Sequence, residues 1–330
     1  MKHEKQDKYE SPVKAIFTGI KDLLRKKEEE LSLEGSPALD GKKILVTGSS
    51  SGLGYATAVE LARRGAKVIM AVRSGIPEKG EAVKRESGSG QVFMLPVDLA
   101  DPASIARLVQ EVKANFDCID ILICNAAIVT QHSRVTKEGL DEMFAVNYLA
   151  KYMLITGMLN QEVFNHQAKE APRIIVVNSE SHRNPEGIVW EKFGLYESYG
   201  IKKSVSVYAY YKLLLLTLTH ELSRRLNEDG RVNFSVSALC PGPVNSNIAR
   251  EAPALFQPLL RLVFRIFFRS PEKACRPIIY LASSGEQSSR AMDYLFLMNR
   301  KAMDPKATDA DNGRKLWELT EKLAQSLQPE

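Results

Sequence analysis

The chain has 330 residues, of which 44% are hydrophobic and 26% charged, a composition that allows one large α/β domain or two smaller domains. The formal net charge is +5, and 45 Lys and Arg residues are spread among 40 Asp and Glu residues, so a mixed solvated surface is favoured over nucleic-acid binding. The four cysteines show neither CxxC spacing nor a dense framework, which predicts reduced thiols in an intracellular, cytoplasmic protein without a zinc site.

The first 40 residues are charge-rich and are predicted to form an N-terminal extension. An amphipathic helix is expected from Val13 to Leu33, ending at the breaker-rich segment 34–37. Charge recurs through the first twenty residues, so no secretory signal is expected there. A membrane span is not expected either, because it needs a run of ~18 uncharged apolar residues.

From Lys42 onward, short β-branched runs alternate with helical stretches. Predicted strands are KKILVTG, AKVIMAV, QVFMLPVDL, IDILICNAA, RIIVVNS and RVNFSVSALCPG. Predicted helices are GYATAVELARRG and the stretches near 102–116, 138–160 and 206–227, with a polar loop after AKVIMAV and a long irregular stretch after RIIVVNS. Strands this uniformly apolar are buried on both faces, which predicts an α/β fold with a doubly wound parallel sheet in three layers.

A glycine-rich turn lies between the first predicted strand and the first predicted helix. Its glycines permit a tight turn, and the helix N-terminus offers N–H groups and a positive dipole end to a pyrophosphate. The alternative is a structural glycine turn without a nucleotide. The sequence predicts dinucleotide contacts from Gly48, Ser50, Ser51, Gly52, Leu53 and Gly54.

The ends of the next two strands bear on the choice of cofactor. The strand 67–72 is followed by Arg73 and has no acid there, whereas NAD selection normally uses a carboxylate at this place. A guanidinium suits a 2′-phosphate, so NADP(H) is predicted in preference to NAD(H), with a solvated arginine as the alternative. After the third strand, Asp98 and Asp101 both compete for the N-cap of helix 102–116, and the Asp101-Pro102 pair fits it better.

A tyrosine and a lysine are spaced for proton transfer. Reduction of a carbonyl by a nicotinamide needs a proton donor, and a nearby lysine can lower a tyrosine pKa from its usual value of about 10. Tyr208 and Lys212 are four residues apart on one predicted helix and share a face. Tyr199 and Lys203 have the same spacing, but only Tyr208 leads directly into a long apolar helix.

Polar residues elsewhere complete this candidate site. Ser179 closes the strand RIIVVNS, at the end where doubly wound sheets present ligand-binding groups, and Ser181 is the alternative if the register differs by two. Asn178 is expected to cap backbone. Asn147 is polar on an otherwise apolar helix, and a role in helix packing alone is the alternative for it.

In this order, the motifs resemble those of the short-chain dehydrogenases and reductases, over residues 41 to about 320. The turn 47–54 is similar to the family's TGxxxGxG motif. The segments CNAA, VNYLAKYMLI and 312–319 look most like the retinol-dehydrogenase group and its relatives, which include the protochlorophyllide reductases. The resemblance implies a Rossmann fold in one domain over 41–330, with a substrate lid at about 245–272.

The resemblance also implies roles for individual residues. Asp98 would contact the adenine, and Asn147 would hold a water that relays protons to Lys212. Tyr211 before Lys212 and Glu180 after Ser179 depart from the family's pattern, which predicts an altered pocket or weakened catalysis. Further cofactor contacts are implied for Leu99, for Asn125 and Ala126 in the NAG-like turn 125–127, and for Pro241, Gly242, Val244 and Ser246 in the PGxVxT-like segment, besides Tyr208 and Lys212.

Residues 255–269 are predicted to form a basic amphipathic helix, with Arg261, Arg265 and Arg269 on one stripe. At the lid position its apolar groups indicate a small lipophilic carbonyl or alcohol substrate, with peripheral membrane contact as one consequence. The alternative is a helix packed on its own domain or on another subunit of a homo-oligomer.

The sequence therefore predicts an NADP(H)-dependent oxidoreductase acting on a retinal-, steroid- or lipid-aldehyde-like carbonyl or the matching alcohol. Tyr208 would exchange the proton, Lys212 would orient the ribose, and Ser179 would polarise the substrate oxygen. Two alternatives stay open: a protochlorophyllide-type reductase, and a catalytically weak NADP-binding scaffold or regulatory protein, which Tyr211, Glu180 and the charged extension would suit.

Overall fold

The computed structural model describes residues 31–33, 38–244 and 269–327. Most of the predicted N-terminal helix lies outside these residues. So do residues 245–268, which include most of the predicted lid and the candidate cofactor contact Ser246. Within the described ranges, no helix is long and apolar enough to cross a bilayer.

One eight-stranded sheet forms the centre of the molecule, in the order β3-β2-β1-β4-β5-β6-β7-β8. Strands β1 to β7 are parallel, and β8 pairs antiparallel with β7. The order reverses between β1 and β4, and such a switch point opens a crevice at the carboxyl ends of the strands. The strands are β1 (Lys43–Thr47), β2 (Lys67–Val72), β3 (Val92–Pro96), β4 (Ile121–Cys124), β5 (Arg173–Val177), β6 (Ser235–Cys240), β7 (Met292–Phe296) and β8 (Asn299–Arg300).

Helices cover both faces of the sheet. They are α1 (Gly52–Arg63), α2 (Glu78–Ser87), α3 (Pro102–Phe116), α4 (Glu142–Phe144), α5 (Ala150–Asn160), α6 (Ile201–Leu226), α7 (Pro271–Ala274), α8 (Arg276–Ser283), α9 (Pro305–Thr308) and α10 (Ala310–Ser326). A π-helical turn, Ala145–Leu149, joins α4 to α5, and short 3-10 turns span Glu180–Arg183, Trp190–Lys192 and Gly285–Ser289.

Two large apolar clusters lie on opposite faces of this sheet. One packs α1 and α8 against the strands, and the other packs α3, α5, α6 and α10 against them. The centre of β1 is fully buried between the two clusters, since Ile44, Leu45 and Val46 are each 0% exposed. This confirms the predicted three-layer, doubly wound α/β fold.

The helix α10 closes the outer face of α5 and α6. The Trp317 ring lies 5.1 Å from the Tyr152 ring, and the Arg225 guanidinium lies 4.6 Å above that indole. The hydroxyls of Tyr148 and Thr320 are 2.5 Å apart and hydrogen-bonded, and Leu316 is completely buried beside them. The face shared by α5 and α6 is therefore covered by a later part of the same chain.

Several element boundaries differ from the predictions. The polar loop expected after β2 contains the helix α2, of which only Gly80 and Val83 are buried, so its apolar stripe is too narrow to recognise. The helix α6 begins at Ile201, five residues before the predicted start near 206. The sequence did not indicate this first turn, because its first residues are exposed and show little apolar periodicity. Helix α3 and its N-cap Asp101, whose carboxylate accepts from the Ala103 N–H at 2.9 Å, are as predicted.

Candidate active site

The glycine turn sits between β1 and α1, at the switch point of the sheet. Gly48 has a φ of +65°, and a Cβ there would lie 2.8 Å from the Cα of Ala126. A Cβ on Gly54 would lie 2.4 Å from the Asn125 amide nitrogen and 2.4 Å from the Gly48 oxygen. Only glycine allows this approach of the helix and the strand ends.

Asn125 holds this turn from the end of β4. Its side-chain amide donates to the Thr47 oxygen at 3.0 Å and to the Gly48 oxygen at 3.2 Å. The Thr47 hydroxyl in turn accepts from the backbone N–H groups of Asn125 and Ala126 at 3.1 and 3.2 Å. The predicted contact residues Asn125 and Ala126 are thus bonded directly to the glycine turn.

This cradle fits a dinucleotide diphosphate. The N-cap residue of α1, Ser51, makes no side-chain capping bond, so the first N–H groups of the helix remain available to an anion. Arg73 follows β2, is exposed, and forms no ion pair with any of the described residues. The Asp98 carboxylate already accepts from the Ala100 N–H at 2.9 Å, which leaves its second oxygen for a ligand.

The candidate proton-transfer groups meet at the carboxyl end of β5. Lys212 is 1% exposed, its ammonium donates to the Val177 oxygen at 3.0 Å, and it lies 5.5 Å from the centre of the Tyr208 ring. Ser179 lies near the Tyr208 hydroxyl, whose pKa it lowers. Tyr208, Lys212 and Ser179 therefore form one cluster, as their order in the sequence predicted.

Neighbouring polar groups fix Ser179 in this cluster. The Asn178 side chain accepts from the Ser179 N–H at 2.9 Å and donates to the Lys212 oxygen at 3.2 Å, so it caps backbone as expected. The Ser181 hydroxyl donates to the Ser179 hydroxyl at 3.0 Å. The Ser179 hydroxyl proton is thereby left free for another acceptor, and Ser181 supports Ser179 instead of replacing it.

The electrostatics of the pair differ from the prediction in one respect. Burial raises the pKa of Tyr208 above its ordinary value, and the neighbouring Cys240 raises it further, against a smaller opposing effect of Ser179. Burial also lowers the pKa of Lys212 to about 7, and the positive charge of Lys151 contributes. The pKa of Tyr208 is therefore raised instead of lowered, because desolvation by burial is the largest contribution to it.

Asn147 lies in the π-helical turn and is completely buried. Its amide oxygen accepts from the Ile128 N–H at 2.8 Å, and its amide nitrogen donates to the Ile128 oxygen at 2.8 Å. The side chain thus anchors the segment after β4, and the predicted water relay to lysine remains a prediction.

The structure adds two buried residues that the sequence did not single out. The Lys151 ammonium lies in the core and donates to the Ala126 oxygen at 2.6 Å. The His182 ring nitrogen Nδ1 bonds the Ser179 oxygen at 2.7 Å, and burial lowers the pKa of this histidine to about 4. A lysine within the apolar run VNYLAKYMLI was the only sequence signal for the first of them.

Glu180 and Tyr211 are both engaged away from Tyr208. The Glu180 carboxylate accepts from the Tyr294 hydroxyl at 2.6 Å and from the Arg183 guanidinium at 3.0 Å, and it also bonds Lys301. The Tyr211 ring packs 5.5 Å from the Phe144 ring and borders a cavity of about 210 Å³ between α6 and residues 189–199. None of these contacts involves Tyr208.

The second tyrosine and lysine with this spacing, Tyr199 and Lys203, do not form a helical pair. Tyr199 precedes the first residue of α6, and its hydroxyl is bonded to the Thr130 hydroxyl at 2.9 Å. Lys203 is exposed. Of the two tyrosines, only Tyr208 lies in α6, four residues before a lysine of the same helix.

The segment after β6 completes the edge of the crevice. Gly242 has a φ of +78°, and a Cβ there would lie 2.6 Å from a methyl group of Leu297. Val244 forms a parallel bridge with Arg269, so these two residues lie side by side. Within the described parts of the chain, no group of three or more His, Cys, Asp or Glu side chains could hold a metal ion.

A parallel sheet with a glycine cradle at its switch point and a Ser–Tyr–Lys cluster at its carboxyl edge defines the site of a dinucleotide-dependent oxidoreductase. Residues 42–190 match the short chain dehydrogenase family. Over 325 residues the chain is 32% identical to retinol dehydrogenase 14 of Homo sapiens, covering 93% of this chain and 94% of that protein. The chain belongs to the short-chain dehydrogenase family.

Solved structures agree with this assignment. A protein from Mycobacterium paratuberculosis is 27% identical, with a TM-score of 0.69 over 90% of this chain and 98% of that chain. A protein from Beutenbergia cavernae, described as an NAD(P)-dependent gluconate 5-dehydrogenase with bound NADP, is 25% identical. Its TM-score is 0.57, covering 79% of this chain and 96% of that chain.

Proposed function

We propose that this oxidoreductase uses NADP(H) to interconvert a lipophilic alcohol and the corresponding aldehyde or ketone. The observation that carries the proposal is the cluster of Tyr208, Ser179 and Lys212 at the edge of the crevice that begins at the glycine cradle. The relative named retinol dehydrogenase 14 supports a lipophilic substrate.

The cofactor preference is argued from Arg73. This exposed guanidinium follows β2, where a 2′-phosphate would lie beside it, and its side chain can bond such a phosphate through two N–H groups. The bound NADP of the Beutenbergia cavernae protein is consistent with this assignment. The diphosphate would lie on the glycine turn and on the N-terminus of α1.

A bound nicotinamide supplies or removes the hydride at the substrate carbon. Tyr208 donates the proton to the carbonyl oxygen in reduction, and its raised pKa means that it carries this proton across the physiological pH range before catalysis. The Ser179 hydroxyl, held by Ser181 and Asn178, bonds the same oxygen and orients it. Lys212 returns a proton to Tyr208, which its pKa of about 7 allows.

The substitution Tyr208→Phe tests this assignment, because it removes one hydroxyl and leaves the ring in place. Turnover of a panel of lipophilic aldehydes with NADPH should fall by about 10²–10⁴-fold, the usual contribution of a positioned general acid. NADPH affinity, measured by fluorescence titration, should stay at the native value.

The matched control is Tyr210→Phe on the same helix. The Tyr210 hydroxyl bonds the backbone of Val189 at 3.2 and 3.3 Å, away from Lys212, so its loss should leave turnover unchanged. Full turnover by the Tyr208→Phe variant would refute the proposed role of Tyr208. Equal losses in the two variants would show a structural effect instead.

A further inference from the structure

Lys151 places a cation in the core beside the active site. It is the second residue of α5 and is 2% exposed. Its ammonium donates to the Ala126 oxygen at 2.6 Å and also to the Val146 oxygen. Among the described residues no carboxylate forms an ion pair with it. A charge buried on two backbone carbonyls costs free energy, and an apolar side chain of similar size would avoid that cost.

The two carbonyls belong to different walls of the crevice. Ala126 follows β4, and Val146 belongs to the π-helical turn between α4 and α5. The next residue of that turn, Asn147, bonds both backbone groups of Ile128 at 2.8 Å. The ammonium and the amide together tie the segment after β4 to the π-helical turn at two successive points.

The Ala126 end of this tie reaches the phosphate cradle. A Cβ added to Gly48 would lie 2.8 Å from the Ala126 Cα, so the two backbones are already in contact. The backbone N–H of Ala126 donates to the Thr47 hydroxyl at 3.2 Å on the other side. A displacement of Ala126 would therefore move the glycine turn directly.

The charge on Lys151 also acts on the proton-transfer pair. Burial is the main cause of the lowered pKa of Lys212, and the charge of Lys151 lowers this pKa further. The nearby Cys240 thiol opposes the change. Burial lowers the pKa of Lys151 itself to about 8, and Cys124 at the end of β4 opposes this. Burial raises the pKa of the Cys124 thiol to about 12, and the charge of Lys151 opposes this.

We propose that Lys151 is a positioning residue of the active site: its ammonium bonds the carbonyls of Ala126 and Val146 and thereby holds the turn after β4 against the glycine cradle. The inference rests on the proposed function only in taking the glycine cradle as the NADP(H) site. The contacts that support it are independent of any substrate.

Two substitutions separate the two effects. Lys151→Gln keeps N–H donors for the carbonyls but removes the charge, and Lys151→Met keeps the length but removes both. Without the charge, the titration of Lys212 should move to higher pH by about one unit in each variant. Loss of the hydrogen bonds should weaken NADPH binding by about three- to tenfold in Lys151→Met, while Lys151→Gln stays near the native affinity.

The titration is followed by NMR of the full chain labelled with ¹³C at the lysine ε-carbon, with Lys212→Met to assign the Lys212 signal. NADPH affinity is followed by fluorescence titration, and stability by urea unfolding. If Lys151→Met does not fold, Lys151→Leu, which removes the same hydrogen bonds with a shorter apolar side chain, takes its place. Native NADPH affinity in Lys151→Met would overturn the inference even if stability falls, because a lysine with a merely structural role would give that result.

Neither readout requires turnover. A chain whose NADPH affinity falls as expected in Lys151→Met but which reduces no carbonyl would refute the proposed function and leave the inference on Lys151 standing. A chain that turns over normally, with native Lys212 titration and native NADPH affinity in Lys151→Met, would do the reverse.

Discussion

Replacing Gly54 by alanine should disrupt the cofactor cradle, although the backbone there is helical. Alanine is favoured over glycine inside a helix by about 1 kcal/mol. The new Cβ would lie 2.4 Å from the Asn125 amide nitrogen and 2.4 Å from the Gly48 oxygen, and the second of these atoms is backbone. Relieving such overpacking costs about 1–3 kcal/mol.

The same change would displace the Asn125 amide from Thr47 and Gly48, to which it donates at 3.0 and 3.2 Å. Each lost bond costs about 1 kcal/mol. After the gain of about 1 kcal/mol in helix propensity, the free energy of unfolding should fall by about 2–4 kcal/mol. NADPH affinity should fall by at least about tenfold, since about 1.4 kcal/mol of distortion at the diphosphate site is sufficient.

Urea unfolding and NADPH fluorescence titration measure the two effects. The control is Gly157→Ala in α5, where the new Cβ would meet only a methyl group of Val109, at 3.2 Å. That variant should stay within about 1 kcal/mol of the native stability and keep its NADPH affinity. Native NADPH affinity in Gly54→Ala would refute the argument that the close approach at Gly54 shapes the cradle.

Three further changes test other parts of the structure. Arg73→Glu should lower the affinity for NADPH by about 2 kcal/mol and leave that for NADH nearly unchanged; equal losses for both cofactors would exclude a 2′-phosphate contact. Burial holds the pKa of His182 at about 4 against an ordinary value of 6.5, so the unfolded chain binds the proton more readily. Stability should therefore be complete above about pH 6.5 and fall by about 3 kcal/mol toward pH 4, and His182→Gln should flatten this slope in unfolding experiments from pH 4 to 8. Leu316→Ala in α10 should lower the free energy of unfolding by about 2–5 kcal/mol, since this side chain of the helix is completely buried. A change below about 0.5 kcal/mol would contradict the packing of α10 on the domain.

The strands β1 to β6 and the glycine turn could be predicted because short, continuous apolar runs ending in glycine or polar residues are typical of buried parallel strands. Helix α2 could not, since it buries only Gly80 and Val83. The choice of Tyr208 over Tyr199 needed only their position relative to the following apolar helix. The fold thus follows from patterns within segments of the chain.

The electrostatics of the site could not be predicted in the same way. Spacing suggested that Lys212 lowers the pKa of Tyr208, but desolvation depends on all the elements that surround the ring, and it raises that pKa. Lys151 reads as an ordinary helix residue until β4 and the π-helical turn place two carbonyls around its ammonium. Such effects arise between segments that are distant in sequence.

The helix α10 also affects the order in which the protein can mature. It follows every other described element along the chain, so it leaves the ribosome after α5 and α6 have been made. Until then the surface that receives Trp317 and Leu316 is exposed to solvent or to chaperones. The residues of the cofactor cradle and of the tyrosine site are thus synthesised before the helix that covers the apolar flank of α5 and α6.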